Sequence, residues 1–142
     1  MTRVTQVENE ARVLAFRRQA LGPGVQIAHV SLRRGESSLT HSHSQTRDTF
    51  YVFEGRLTIS VYEQRESQGP RFWTNSSDPG EIRREGELLV RRFGIKGGEV
   101  FVVEPRVVHC AANLHEQACS FLCIEGIGEY DFVLAEGLQR EV

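Results

Sequence analysis

No stretch of this sequence approaches the roughly 20 consecutive apolar residues of a membrane-spanning helix, and its opening, "MTRVTQVENEARVLAFRR", has no apolar run long enough for a secretory signal. A soluble, cytoplasmic protein with no membrane partner is expected. An excess of one charge is missing too. The 17 basic and 19 acidic residues leave a net charge of −2, which excludes the basic footprint of a nucleic-acid binder. A small, near-neutral molecule is the expected partner. Cysteine is sparse: Cys110, Cys119 and Cys123 form an odd set with no CxxC pair, and two of them lie in the apolar run "CSFLCIEG". They read as buried thiols, not disulfide partners, in keeping with a reducing compartment. Helical spacing is scarce as well, and no internal repeat, low-complexity tract or linker divides the chain.

What is present is a succession of short apolar segments rich in Val, Ile and Phe, each stopped by Gly, Pro or a charged cluster. That is the pattern of an all-β chain, and its 142 residues suit one domain spanning 1–142 that buries roughly 70% of its unfolded surface. The segments predict strands over residues 12–18, 25–32, 49–54, 56–64, 87–93, 99–104, 107–113, 119–125 and 130–135. Many short antiparallel strands imply a sandwich, jelly roll or barrel, the architectures that suppress exposed sheet edges. The stretch "ESQGPRFWTNSSDPGEIRREGE", residues 66–87, interrupts the series with two prolines, a turn cluster and the single tryptophan. It reads as an inserted loop, with Trp73 a candidate for the rim of a pocket.

The histidines carry the chemistry. In an extended strand alternate side chains share a face, so His41 and His43 project together with Cα atoms about 6.5 Å apart, close enough for two imidazoles to converge on one ion. Asp48 follows by an odd step, but the polar "SQTR" between them can bend and return the carboxylate to the same side from the next strand. Spacing alone also fits two ordinary solvated histidines at a strand end. A third histidine shifts that balance: "GGEVFVVEPRVVHCAAN" repeats the order of glycine turn, apolar strand and turn, then places His109 on a second strand. Three imidazoles and a carboxylate from separate strands suit a divalent transition metal.

The spacing from Gly35 through His41, His43 and Asp48 to Gly55 resembles the first motif of the cupin superfamily, and Gly98 through His109 to Asn113 resembles the second. Two departures lie in the second motif's turn, where Glu104 stands in the proline slot and Arg106 in the glycine slot, with Pro105 displaced by one. Asp48 also replaces the usual glutamate, one methylene shorter. The first motif occupies residues 35–55, the second 98–113, and the likeness runs over about residues 25–125. It implies a double-stranded β-helix, or jelly-roll, barrel with His41, His43, Asp48 and His109 as ligands of one Fe, Mn, Zn or Ni ion, iron being the first choice. It further implies a homodimer and a small polar organic substrate inside the barrel. A dioxygenase-type oxidoreductase is the leading expectation. The alternatives are a non-redox isomerase, epimerase or lyase acting on a sugar or hydroxy acid, and a non-catalytic binding module.

Around these positions, Phe50 and Val52 share the strand parity of Asp48 and are expected to line the cavity as its apolar wall. Arg47 and Arg106, beside the ligands, are candidates to clamp a substrate carboxylate. His29 reads as a core or pocket-wall histidine holding one hydrogen bond. Cys110 has the opposite parity to His109 and is expected to point away from the ion.

Overall fold

A computed structural model describes residues 2–4, 16–22, 24–64, 71–135 and 137–138. It contains thirteen strands and, among the described residues, no helix. In chain order they are β1 (Thr2–Val4), β2 (Phe16–Gly22), β3 (Val25–Leu32), β4 (His41–Ser42), β5 (Arg47–Glu54), β6 (Arg56–Gln64), β7 (Phe72–Thr74), β8 (Glu81–Glu85), β9 (Leu88–Lys96), β10 (Val100–Val103), β11 (Val108–Ala112), β12 (Cys119–Gly126) and β13 (Phe132–Leu134). They form two antiparallel sheets, a seven-stranded one in the order β1-β13-β4-β11-β6-β9-β8 and a six-stranded one in the order β2-β3-β12-β5-β10-β7. This is the all-β, two-sheet jelly roll expected from the strand pattern and the motif likeness.

Period-two alternation builds the core. On β12 the residues Cys119, Phe121, Cys123 and Glu125 are buried while their neighbours are half-exposed, and β3 buries Gln26, Ala28, Val30 and Leu32 in the same way. Between the sheets these apolar side chains meet Leu57, Ile59 and Val61 of β6, Ile95 of β9 and Phe101 of β10, all fully buried. Each such side chain contributes about 1.5–3 kcal/mol of hydrophobic stabilisation. Register then sorts the inner face of the six-stranded sheet into transverse rows: Ala28 opposite Cys123 opposite Phe50, and nearer the barrel end Gln26 opposite Glu125 opposite Asp48. A polar row therefore closes an apolar stack.

The segment expected to be one loop over 66–87 is partly strand. Residues 65–70 lie outside the described set, but β7 pairs with β10, and β8 pairs with β9 through a turn at Gly86. Residues 81–85, "EIRRE", are exposed throughout, so β8 carries no apolar alternation; it is held by backbone pairing to β9 at the sheet edge. At the other end of the chain, the strand expected over 12–18 is seen as β2, four residues later, with 12–15 outside the described set.

Candidate metal centre

Both motifs deliver their residues to one end of the barrel. His41 on β4 and His109 on β11 are direct cross-strand partners in the seven-stranded sheet. The chain then bends at residues 44–45 and crosses to the facing sheet, where Asp48 sits at the start of β5 with its side chain turned inward. Asp131 holds that bend, since its carboxylate accepts from the Ser44 backbone N–H at 2.8 Å and from the Ser44 hydroxyl at 2.5 Å. His41, His43, Asp48 and His109 are all buried, and one donor atom from each lies within 4.8 Å of the others.

The three rings are oriented alike. His41 Nδ1 is 2.6 Å from the Leu39 carbonyl, His109 Nδ1 is 2.8 Å from the Val107 carbonyl, and His43 Nδ1 is 2.5 Å from the Asp131 carbonyl. A carbonyl can only accept, so each Nδ1 carries the proton and each neutral ring presents an Nε2 lone pair to the centre. Stacking of His41 on Phe132 at 4.2 Å fixes its plane further. Asp48 Oδ2 meets two of these nitrogens, His109 Nε2 at 2.7 Å and His43 Nε2 at 3.0 Å. The contact with His43 is close but outside hydrogen-bond geometry, and Asp48 Oδ1 has no hydrogen-bond partner among the described residues.

Lone pairs and a carboxylate facing one another in a buried space repel unless positive charge lies between them. In the cation-free protein a proton fills that role. Burial opposes a charged His43, but the Asp48 carboxylate and then Glu125 outweigh it and push the ring up to about 10. Burial likewise works against ionised Asp48, yet His43, with the hydrogen bond to His109, holds it well below the usual carboxylate range. His41 is lowered well below an ordinary imidazole by burial and by the charges of His109 and His43. The donor set is thus three ring nitrogens and a carboxylate, with one carboxylate oxygen unpartnered, and it fits a divalent transition metal.

The residues expected around the ions divide. Phe50 lines a cavity of about 40 Å³ beside His41 and Asp48, with Val30, Leu32, Ala111 and Phe121 as apolar walls and Ser38, Cys123 and Glu125 as polar ones. Val52, two residues on, is buried in the apolar core and does not line this cavity. Arg47 is not a clamp. Its neighbour Asp48 points inward, so strand alternation sends Arg47 outward, where Nε and a terminal nitrogen each lie 3.1 Å from Glu104 Oε2. Arg106 is exposed on the turn before β11, and Trp73 is 57% exposed on β7, away from the cavity. His29 faces outward and half-exposed, hydrogen-bonded through Nε2 to the Ser120 hydroxyl at 2.7 Å. Cys110 is directed to the Ser38 carbonyl at 3.4 Å.

Sequence reasoning missed Glu125. Burial first, then the charge on Asp48, pushes its carboxyl up to about 8. It lines both the inner cavity and a second cleft of about 310 Å³ with Gly24, Gln26 and Tyr130 at the barrel end. The signal was present: counting by twos from Cys119 through Phe121 and Cys123 puts Glu125 on the inner face.

No protein-family model matches the chain, and no curated protein matches it. Solved structures do. An uncharacterized conserved protein with a double-stranded β-helix domain from Klebsiella pneumoniae superposes with a TM-score of 0.56 at 18% identity over 84% of this chain and 76% of that one. An oxalate oxidase gives 0.58 at 18% identity over 79% of this chain. The oxalate decarboxylase of Bacillus subtilis, a protein with Mn(II) centres, gives 0.56 at 19% identity over 78% of this chain. The chain spans 46% of that oxidase and 23% of that decarboxylase. Its fold is the double-stranded β-helix of the cupins.

Proposed function

We propose that this double-stranded β-helix protein is a metal-dependent enzyme that holds one divalent transition-metal ion between His41, His43, Asp48 and His109 and acts on a small polar organic molecule, with oxygen-dependent oxidation of the dioxygenase type as the leading chemistry. The observation that carries the reading is the common orientation of the three rings, each with Nδ1 committed to a backbone carbonyl, in a cluster whose donor atoms lie within 4.8 Å of one another. Such bonds fix the tautomer and aim of metal-ligating histidines. The Mn(II) centres of the fold neighbour from Bacillus subtilis lend support to a bound ion in this fold.

A bound ion would supply Lewis acidity or, as iron, access to redox chemistry with oxygen. The chain supplies the rest. Phe50, Phe121 and the aliphatic walls keep bulk water from the centre, and the Ser38 hydroxyl can orient a polar group. Among the described residues no Arg or Lys lines the inner cavity, so its walls favour a small uncharged molecule over a carboxylate. A non-redox isomerase or lyase would use the same residues, and oxygen dependence separates it from the leading reading.

Elemental analysis of protein purified without chelators is the test. Near-stoichiometric transition metal is expected in the wild type, and loss of most of it in His43→Ala and His109→Ala. Retention of wild-type metal by both variants would overturn the assignment. Turnover that continues under strict anaerobiosis would reject the oxygen-dependent chemistry and leave the lyase or isomerase.

A further inference from the structure

A second carboxylate stands at the edge of the centre. Glu125 of β12 is the direct cross-strand partner of Asp48 on β5, and its side chain is 6% exposed. Its Oε2 lies 3.7 Å from His43 Nε2 and has no hydrogen-bond partner among the described residues, as is also true of Asp48 Oδ1. Its Oε1 has only a long contact of 3.7 Å with the Cys123 thiol. Asp48, Cys123 and Glu125 form a donor group of their own within 4.8 Å; it shares only Asp48 with the histidine group, which Glu125 would join by a turn of its side chain past His43.

Two adjacent buried carboxyl groups with an open oxygen each cannot both be ionised at low cost without a cation, and among the described residues no Arg or Lys lines the cavity beside them. The positive charge that would answer both belongs at the histidine cluster. We propose that Glu125 is a second carboxylate of the metal centre, joining His41, His43, Asp48 and His109 as a fifth protein donor to a divalent ion. Charge supports this assignment. Three neutral imidazoles and one carboxylate leave a divalent ion with an uncompensated unit of charge in an apolar interior, whereas the second carboxylate brings the centre to neutrality. A further oxygen donor also tilts the site toward Mn(II) or Fe(II) and away from Zn(II). It relieves the shortness of Asp48, because Glu125 brings its carboxylate from the neighbouring strand.

The inference rests on the cluster being a metal centre, and the experiment separates the two. Mn(II) and Zn(II) are titrated by calorimetry into the cation-free wild type, Glu125→Gln and His109→Ala, and the visible spectrum of each is recorded with Co(II). Glu125→Gln is expected to weaken Mn(II) by about 10- to 100-fold, to weaken Zn(II) less, and to change the Co(II) bands. Wild-type Mn(II) affinity with an unchanged Co(II) spectrum in Glu125→Gln, while His109→Ala loses the metal, overturns the role of Glu125 alone. Unchanged binding in His109→Ala overturns the metal centre itself. Should Glu125→Gln fail to fold, Glu125→Asp carries the test: it keeps the charge but shortens the reach, a several-fold loss of Mn(II) affinity is expected, and wild-type affinity overturns the proposal.

Discussion

Asp48 Oδ2 lies 2.7 Å from His109 Nε2, although the two residues are 61 positions apart and sit on opposite sheets. Because His109 Nδ1 already donates to the Val107 carbonyl, a neutral ring has no second proton to offer Asp48. The pair therefore requires positive charge, as a proton or as an ion.

That requirement has a pH signature. In the cation-free protein His43 is raised to about 10, so its contribution to stability is complete below the ordinary imidazole value of about 6.5 and is lost as pH climbs through about 10. Glu125, raised to about 8, works in the same direction from about 4.3 upward. Asp48, lowered, works oppositely and costs stability only as acid protonates it, below about 3.9. The thermal midpoint of the cation-free protein is expected to fall between about pH 5 and about pH 10, and metal affinity to rise about tenfold per pH unit while one proton is displaced. Calorimetric melts and metal titrations across that range check both; a flat profile in the cation-free protein would contradict the charge assignment.

Arg106 occupies the glycine slot of the second motif and adopts φ 69°, the left-handed conformation that glycine takes without penalty. In this pose its backbone N–H donates to the His43 carbonyl at 2.7 Å, tying the turn to the end of the first motif. Arg106→Gly removes a penalty of about 1–2 kcal/mol and adds about 0.5–1 kcal/mol of unfolded-chain entropy, so a gain of up to about 1.5 kcal/mol is expected. Arg106→Val is expected to destabilise. Denaturant melts of the two variants decide, with metal content unchanged in Arg106→Gly.

Gly55 and Gly86 both have positive φ, but only one is enclosed. A Cβ on Gly55 would stand 2.4 Å from the Ala118 carbonyl oxygen and 2.9 Å from Cys119 Cα, both backbone, whereas one on Gly86 meets nothing within 4 Å. Gly86→Ala is expected to cost about 1–2 kcal/mol for its conformation. Gly55→Ala adds a clash of about 1–3 kcal/mol. Equal melting temperatures for the two variants would refute the steric account.

Asp78 clips the segment between β7 and β8 onto β9. Its Oδ1 accepts from the Gly80 N–H at 2.8 Å and its Oδ2 from the Gly94 N–H at 2.7 Å. These amides hold its carboxyl below the usual range, Gly94 contributing most. Asp78→Ala is expected to cost about 1.5–3 kcal/mol while metal content stays at the wild-type level. Loss of metal in this variant would mean that the clip reaches the centre.

What the sequence determines here is local. Alternation makes "VQIAHVSL" and "RLTISVYEQ" strands with the bounds observed, and the motif spacing singles out the four residues that converge. Polarity by itself did not mark β8, whose five residues are all exposed and whose place depends on a partner strand. Nor did nearness along the chain serve as a guide to the site. Arg47 adjoins Asp48 yet faces solvent, because neighbours on a strand look in opposite directions, and Arg106 and Trp73 are likewise exposed. Glu125 is 77 residues beyond Asp48 yet stands beside it, because β12 lies next to β5. Only the tertiary structure decides which strands become neighbours, since strand order follows from burying two apolar faces against each other over the whole chain.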